Sequence, residues 1–165
     1  MHPNSERGAS VRRLQRPPIR QSVLVQSDIN HTFGAFVRTI AHWWPVALFS
    51  SGKEAVRDIL VEERLGGRIS EIWEDGTVVV WGEILRWDPP LRFLMTWSGT
   101  PATTEVEFTF LALGPALTRV TVEHRGWDSI PMEHVARHGF ANVLFLRRHG
   151  EWWQLLLQRM NQAAQ

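Results

Sequence analysis

Between about residue 56 and residue 127 the sequence falls into six short β-rich runs separated by turn residues, and this rhythm limits the fold more than any other feature of the chain. The runs cover 57 to 64, 68 to 74, 77 to 87, 91 to 98, 103 to 113 and 117 to 127. They are broken at Gly66-Gly67, Asp75-Gly76, Asp88-Pro89-Pro90, Gly99 to Pro101 and Gly114-Pro115. Asp75-Gly76 is a strong hairpin signal, because a primed two-residue turn needs positive φ and glycine supplies it cheaply. Strands joined by breaks this short pair antiparallel, since a parallel crossover takes a dozen or more residues.

Helical spacing brackets this block. Residues 20 to 27 read as a strand, and Asp28 then caps a helix carrying Ile29, Phe33, Phe36, Val37 and Ile40 on one face. Pro45 and the Ser50-Ser51-Gly52 loop follow, with a second short helix or turn before them. After Trp127 the apolar residues return to spacings of three and four, at Val135, Phe140, Val143 and Leu144, then Trp152, Leu155, Leu156, Arg159 and Met160. Gly139 and Gly150 interrupt that stretch, so it is either two helices or one that bends. The class is therefore α+β: a curved antiparallel sheet of about seven strands, two short helices after the first strand, and a long C-terminal helix.

A chain of 165 residues suits one domain, read here as residues 19–165 behind a polar, Arg-rich tail at 1–18 that ends in Pro17-Pro18. Without cysteine there is no disulfide framework, thiolate nucleophile or Cys-based zinc site, and a cytoplasmic location is the expectation. A formal net charge of +1 offers no field for nucleic acid. No run approaches the roughly 20 apolar residues of a membrane span, so no membrane insertion is expected. No phosphate loop, nucleotide fingerprint or Gly-x-Ser-x-Gly elbow occurs, so no cofactor is expected. His134 and His138 stand four apart on a helix without a third ligand, and no metal site is read from them.

The aromatic content is unusual, with nine Trp and eight Phe but no Tyr. Several Trp fall in an ordered series of short signatures: Leu65-Gly66-Gly67-Arg68-Ile69, Asp75-Gly76, Trp81-Gly82-Glu83-Ile84, Trp87-Asp88-Pro89-Pro90, Phe93 to Trp97, and Gly126-Trp127. As a set, over about residues 20 to 161, this resembles the heat-shock-protein-90 ATPase activator homologues of the START-like (SRPBCC) superfamily, which the birch pollen allergen and polyketide cyclases share. The resemblance implies the helix-grip fold, a cavity between the concave sheet and the C-terminal helix, and a link to the stress response. It supplies no catalytic residue and admits a chaperone interaction.

Alternation along strands identifies candidate inner faces. Val106, Phe108 and Phe110 form one such set, Val120, Val122 and His124 a second, and Leu91, Phe93, Met95 and Trp97 a third. In 68 to 74, Glu71 travels with Ile69 and Trp73, and alternation alone leaves the inner face of that run open. In 78 to 87, an outward Glu83 places Val80, Gly82 and Ile84 inside and Trp81 and Trp87 outside, unless a bulge at Gly82 shifts the phase. Trp43 and Trp44 flank the expected cavity mouth, and Phe140 and Trp153 belong to the gripping helix.

The expected ligand-cavity residues are thus Trp43, Trp44, Phe93, Met95, Trp97, Phe108, Phe110, Val122, His124, Phe140 and Trp153, around an apolar, aromatic or lipid-like small molecule. The same side chains could equally fill a core. His124 is either satisfied by a neighbouring backbone group or indole N–H, or it is a ligand contact. A cyclase or hydrolase-like enzyme would use His124, with Glu71, as acid and base. A protein-interaction module of co-chaperone type is a third reading, and the surplus of Trp is compatible with a homodimer.

Overall fold

The computed structural model describes residues 17–43, 53–97, 103–127 and 142–164. Chain order is β1 (Ile19–Val25), α1 (Ile29–Arg38), α2 (Ile40–Trp43), a 3-10 turn (Lys53–Ala55), β2 (Val56–Val61), β3 (Arg68–Trp73), β4 (Val78–Asp88), β5 (Arg92–Trp97), β6 (Thr104–Gly114), β7 (Leu117–Arg125) and α3 (Asn142–Ala164). The strands form one seven-stranded antiparallel sheet in the order β1-β7-β6-β5-β4-β3-β2. The six runs after residue 56 thus make a meander, each strand pairing with the next. The N-terminal strand closes the far edge beside β7.

Local chemistry explains the elements. Asp28 takes an extended conformation and its carboxylate accepts from the His31 N–H at 2.9 Å, satisfying one of the orphan donors of the first turn of α1. Phe33, Phe36 and Val37, at helical spacing, bury against the sheet. The β3–β4 hairpin forms at Asp75-Gly76 with Gly76 at φ +88°, but its loop is three residues long: the Trp73 N–H donates to the Thr77 carbonyl at 2.9 Å and the Gly76 N–H to the Trp73 carbonyl at 3.0 Å, in place of the expected primed two-residue turn.

The C-terminal helix lies across β1, α1 and α2. Its far end is tied down by Asn161 Nδ2 donating to the Leu24 carbonyl at 3.1 Å and by His31 Nε2 at 3.1 Å from the Ala164 carbonyl oxygen. From residue 142 onward it is a single helix that runs through Gly150 without a break. Gly150 is buried, and a Cβ there would come 2.7 Å from Nε2 at the tip of the Gln21 side chain of β1. The buried stripe is Trp153, Leu156, Leu157, Met160 and Ala164, one position away from the expected phase, and Leu155 and Arg159 face solvent. Leu91 likewise differs from expectation. It lies in the turn before β5 and is exposed. Trp44, Phe140 and the His134–His138 pair lie outside the described residues, as does residue 1 to 16 of the tail, and of Trp43 only the backbone is described.

Candidate functional site

Two bulges on β4 decide which aromatic side chains face α3. Ile69 lies opposite Gly82 but Ser70 opposite Val80, so Trp81 is an extra residue; Ile84 lies opposite Met95 but Arg86 opposite Leu94, so Leu85 is a second. Each insertion flips the alternation that follows it. Val80 is therefore exposed, correcting its expected inward placement, while Trp81, Gly82 and Ile84 fall on the inner side. After Leu85 the phase switches again and Trp87 returns inward, edge-on to Phe33 at 5.3 Å and tilted against Phe93 at 5.7 Å. Gly82 permits the first bulge because β5 passes so close that a Cβ would lie 1.7 Å from the Thr96 carbonyl oxygen.

The inner face of β3 carries Ile69 and Glu71, both fully buried. Glu71 is held by two indoles: Trp73 Nε1 donates to Oε1 at 2.9 Å and Trp81 Nε1 to Oε2 at 3.0 Å. Charge-assisted bonds of this kind offset part of the cost of taking a carboxylate out of water. Glu71 is inside by uninterrupted alternation with Ile69 along β3, and the insertion on the neighbouring strand brings Trp81 to it as its second donor.

Facing α3, an aromatic wall encloses a cavity of about 20 Å³. Trp81, Phe93, Met95, Trp97 and Phe108 line it from the sheet, Trp153 from α3, and Phe36 from α1. The rings interlock, with Trp81 to Trp97 at 5.8 Å, Trp97 to Trp153 at 6.1 Å, Phe108 to Trp153 at 5.9 Å and Phe93 to Phe108 at 4.9 Å. Of the residues singled out from sequence, Phe93, Met95, Trp97, Phe108 and Trp153 meet at this space. Phe110 packs instead against Phe33 and Phe36, and Val122 is wholly buried, neither being part of the lining. Trp81, Ile69 and Phe36 join the lining without having been singled out, and the Trp81-Gly82 pair was the one local signal that the phase could shift there.

His124 is 1% exposed and fully engaged. Trp153 Nε1 donates to its Nδ1 at 3.2 Å, and Nε2 lies 2.8 Å from Thr104 Oγ1. An indole N–H can only donate, so Nδ1 carries no proton and the neutral ring's hydrogen sits on Nε2, directed at the threonine hydroxyl. The backbone carbonyl of His124 accepts from Trp127 Nε1 at 3.0 Å. The imidazole is thus a polar strut joining β7, β6 and α3, and it is not among the residues lining the 20 Å³ space. Among the described residues there is no cluster of three or more potential metal ligands, and no helix is long and apolar enough to cross a membrane.

Comparison with known proteins bears on this architecture. A search of curated proteins found no match. Among solved structures, the self-sacrificing resistance protein CalC from Micromonospora echinospora is 27% identical, with 90% of this chain and 94% of that one aligned at a TM-score of 0.58. The anthrahydroquino-γ-pyrone synthase Txn09, solved as a complex, is 29% identical over 90% of this chain and 97% of that one, at a TM-score of 0.52. Bacillus halodurans protein BH1534 shares the fold at 18% identity, with 92% and 99% coverage and a TM-score of 0.62. The family described as activator of Hsp90 ATPase homolog 1-like protein matches residues 28–164, and with the seven-stranded sheet gripping a C-terminal helix this establishes that the chain belongs to that family, with the helix-grip fold.

Proposed function

We propose that this protein binds an apolar small molecule, aromatic or lipid-like, between the concave face of its sheet and α3. The observation that carries the reading is a buried carboxylate, Glu71, on the same inner face as an interlocked aromatic wall. A core built only for stability gains nothing from a carboxylate, whose desolvation costs several kcal/mol by order of magnitude. A mostly apolar site with one or two polar groups to fix orientation is the usual form of a small-molecule pocket. Two relatives above 25% identity add support, one named as a resistance protein and one as a synthase of a fused aromatic product.

A space of 20 Å³ admits about one water, whereas drug-sized ligands occupy roughly 300 Å³ or more. Binding therefore requires the wall to open. Titration with 1,8-dihydroxyanthraquinone and with palmitate tests this. The expected result is a one-to-one complex by native mass spectrometry, quenched indole fluorescence and a raised Tm for one of them. Absence of both complex and stabilisation with both probes sinks the reading.

A cyclase-like reaction is the second reading, motivated by Glu71 as a buried carboxylate held by Trp73 and by Trp81, the latter a residue of the cavity wall. His124, like Glu71, has both of its polar atoms engaged, and it lies away from the lining. Glu71→Gln would then abolish turnover while leaving ligand affinity within a few fold, and equal loss of both speaks against it. A chaperone interaction in the cytoplasm rests on the family description alone, and stimulation of chaperone ATPase activity is its test.

A further inference from the structure

A second concavity, of about 470 Å³, opens between α1 and the β4–β5 turn. Asn30, Phe33, Gly34 and Arg38 line it from one face of α1, and Trp87, Pro89 and Pro90 from the opposite side, with Glu63 at one end. We propose that this cleft is a separate binding site for a flat aromatic carboxylate.

Three observations converge on that ligand chemistry. The first is an indole donor left over by the fold. Trp73, Trp81, Trp127 and Trp153 each donate their N–H to a protein acceptor, but Trp87, which lines the cleft half-buried, has no hydrogen-bond acceptor among the described residues. An indole N–H without a protein acceptor is available to an oxygen of a bound ligand. The second is charge. The other polar groups of the lining are the Asn30 amide, which both donates and accepts, the Arg38 guanidinium, and Glu63 as the single acid. Arg38 Nη2 reaches Glu63 Oε1 at 3.5 Å, with side-chain exposures of 70% and 41%. An ion pair so exposed contributes little, so a ligand carboxylate meeting Arg38 in two-pronged geometry exchanges for Glu63 at small cost.

The third is Gly34. A glycine inside a ten-residue helix is unfavourable relative to alanine, and this one lines the cleft. A Cβ there would meet Arg38 Nη1 at 3.0 Å, so the glycine leaves room for the guanidinium to lie back along the helix. Phe33, Trp87 and the two prolines supply flat apolar walls, and the volume falls within the range of small-molecule sites.

The test is a titration of the full chain with 2-naphthoate, followed by calorimetry and by the indole N–H resonances. Expected are one-to-one binding, a downfield shift of the Trp87 indole N–H, and an unmoved Trp153 indole, which distinguishes this cleft from the interior site. Arg38→Gln should weaken 2-naphthoate at least tenfold while changing the affinity for neutral 2-naphthol less than threefold. Glu63→Gln, which removes the competing carboxylate, should tighten 2-naphthoate several fold. Gly34→Ala should weaken it with Tm unchanged or raised, separating a filled site from a damaged fold. Unchanged affinity in Arg38→Gln, no binding to the wild-type chain, or a shift at Trp153 in place of Trp87 overturns the proposal. Failure of the interior ligand reading would leave all of these outcomes untouched.

Discussion

Gly82→Ala is expected to be the most damaging small substitution in the sheet. A Cβ at this position would stand 1.7 Å from the Thr96 carbonyl oxygen and 2.7 Å from its carbon, where real Cβ atoms essentially never come under 3.0 Å. Both atoms are backbone, so no side chain can swing aside, and β4 and β5 must part by at least about 1.3 Å. Ladder hydrogen bonds of about 2.9 Å do not survive that separation. Losing two of them at about 1 kcal/mol each, with about 1–3 kcal/mol for an overpacked interior, puts the cost near 3–5 kcal/mol. Urea unfolding followed by indole fluorescence measures it, with a matching loss of near-ultraviolet dichroism as Trp81 leaves Trp97. Two other glycines serve as controls, since nothing lies within 4 Å of a Cβ at Gly114 or Gly76. Gly114→Ala should stay within about 0.5 kcal/mol. Gly76→Ala, at φ +88°, should cost about 1–2 kcal/mol for the left-handed backbone alone. A Gly82→Ala loss below that of Gly76→Ala would refute the reasoning.

Trp153→Phe keeps most of the ring but leaves the buried His124 Nδ1 without its indole donor, at about 1–3 kcal/mol. A double-mutant cycle with His124→Phe should show coupling of about 0.5 kcal/mol or more, and additivity would argue against the strut. Asp28→Ala removes the cap of α1 and should cost about 1 kcal/mol in chemical denaturation, with Asp28→Asn costing less. The Asp75 carboxylate is held below its ordinary 3.8 by hydrogen bonds from the Thr77 side chain and backbone N–H. The folded hairpin therefore favours the charged form; that preference is present at neutral pH and disappears as pH falls through the folded pKa. A carboxyl carbon titration by NMR should place the midpoint below 3.8, and Thr77→Ala should raise it.

What was legible in the sequence is what neighbouring residues settle among themselves. The Asp75-Gly76 turn is a local choice of backbone conformation, and the Asp28 cap a local hydrogen bond. Val106, Phe108 and Phe110 alternate without interruption, so their common face could be read from spacing. The face of α3 could not be read, because adjacent apolar residues at 152–153 and 155–157 support two stripes one position apart. Packing against β1, α1 and α2 selects the one containing Trp153.

The aromatic rhythm of the six strands, by itself, dictated a meandering antiparallel sheet with an apolar inner face, because turn chemistry and period-two alternation act within a few residues. Only the tertiary structure decided which tryptophans look inward. Register between strands places the extra residues at Trp81 and Leu85, and each insertion reverses every side chain beyond it. Trp81 became a partner of the interior Glu71, and Trp87 a wall of the cleft beside α1, through those two insertions, and no pattern along a single strand encodes a pairing with its neighbour.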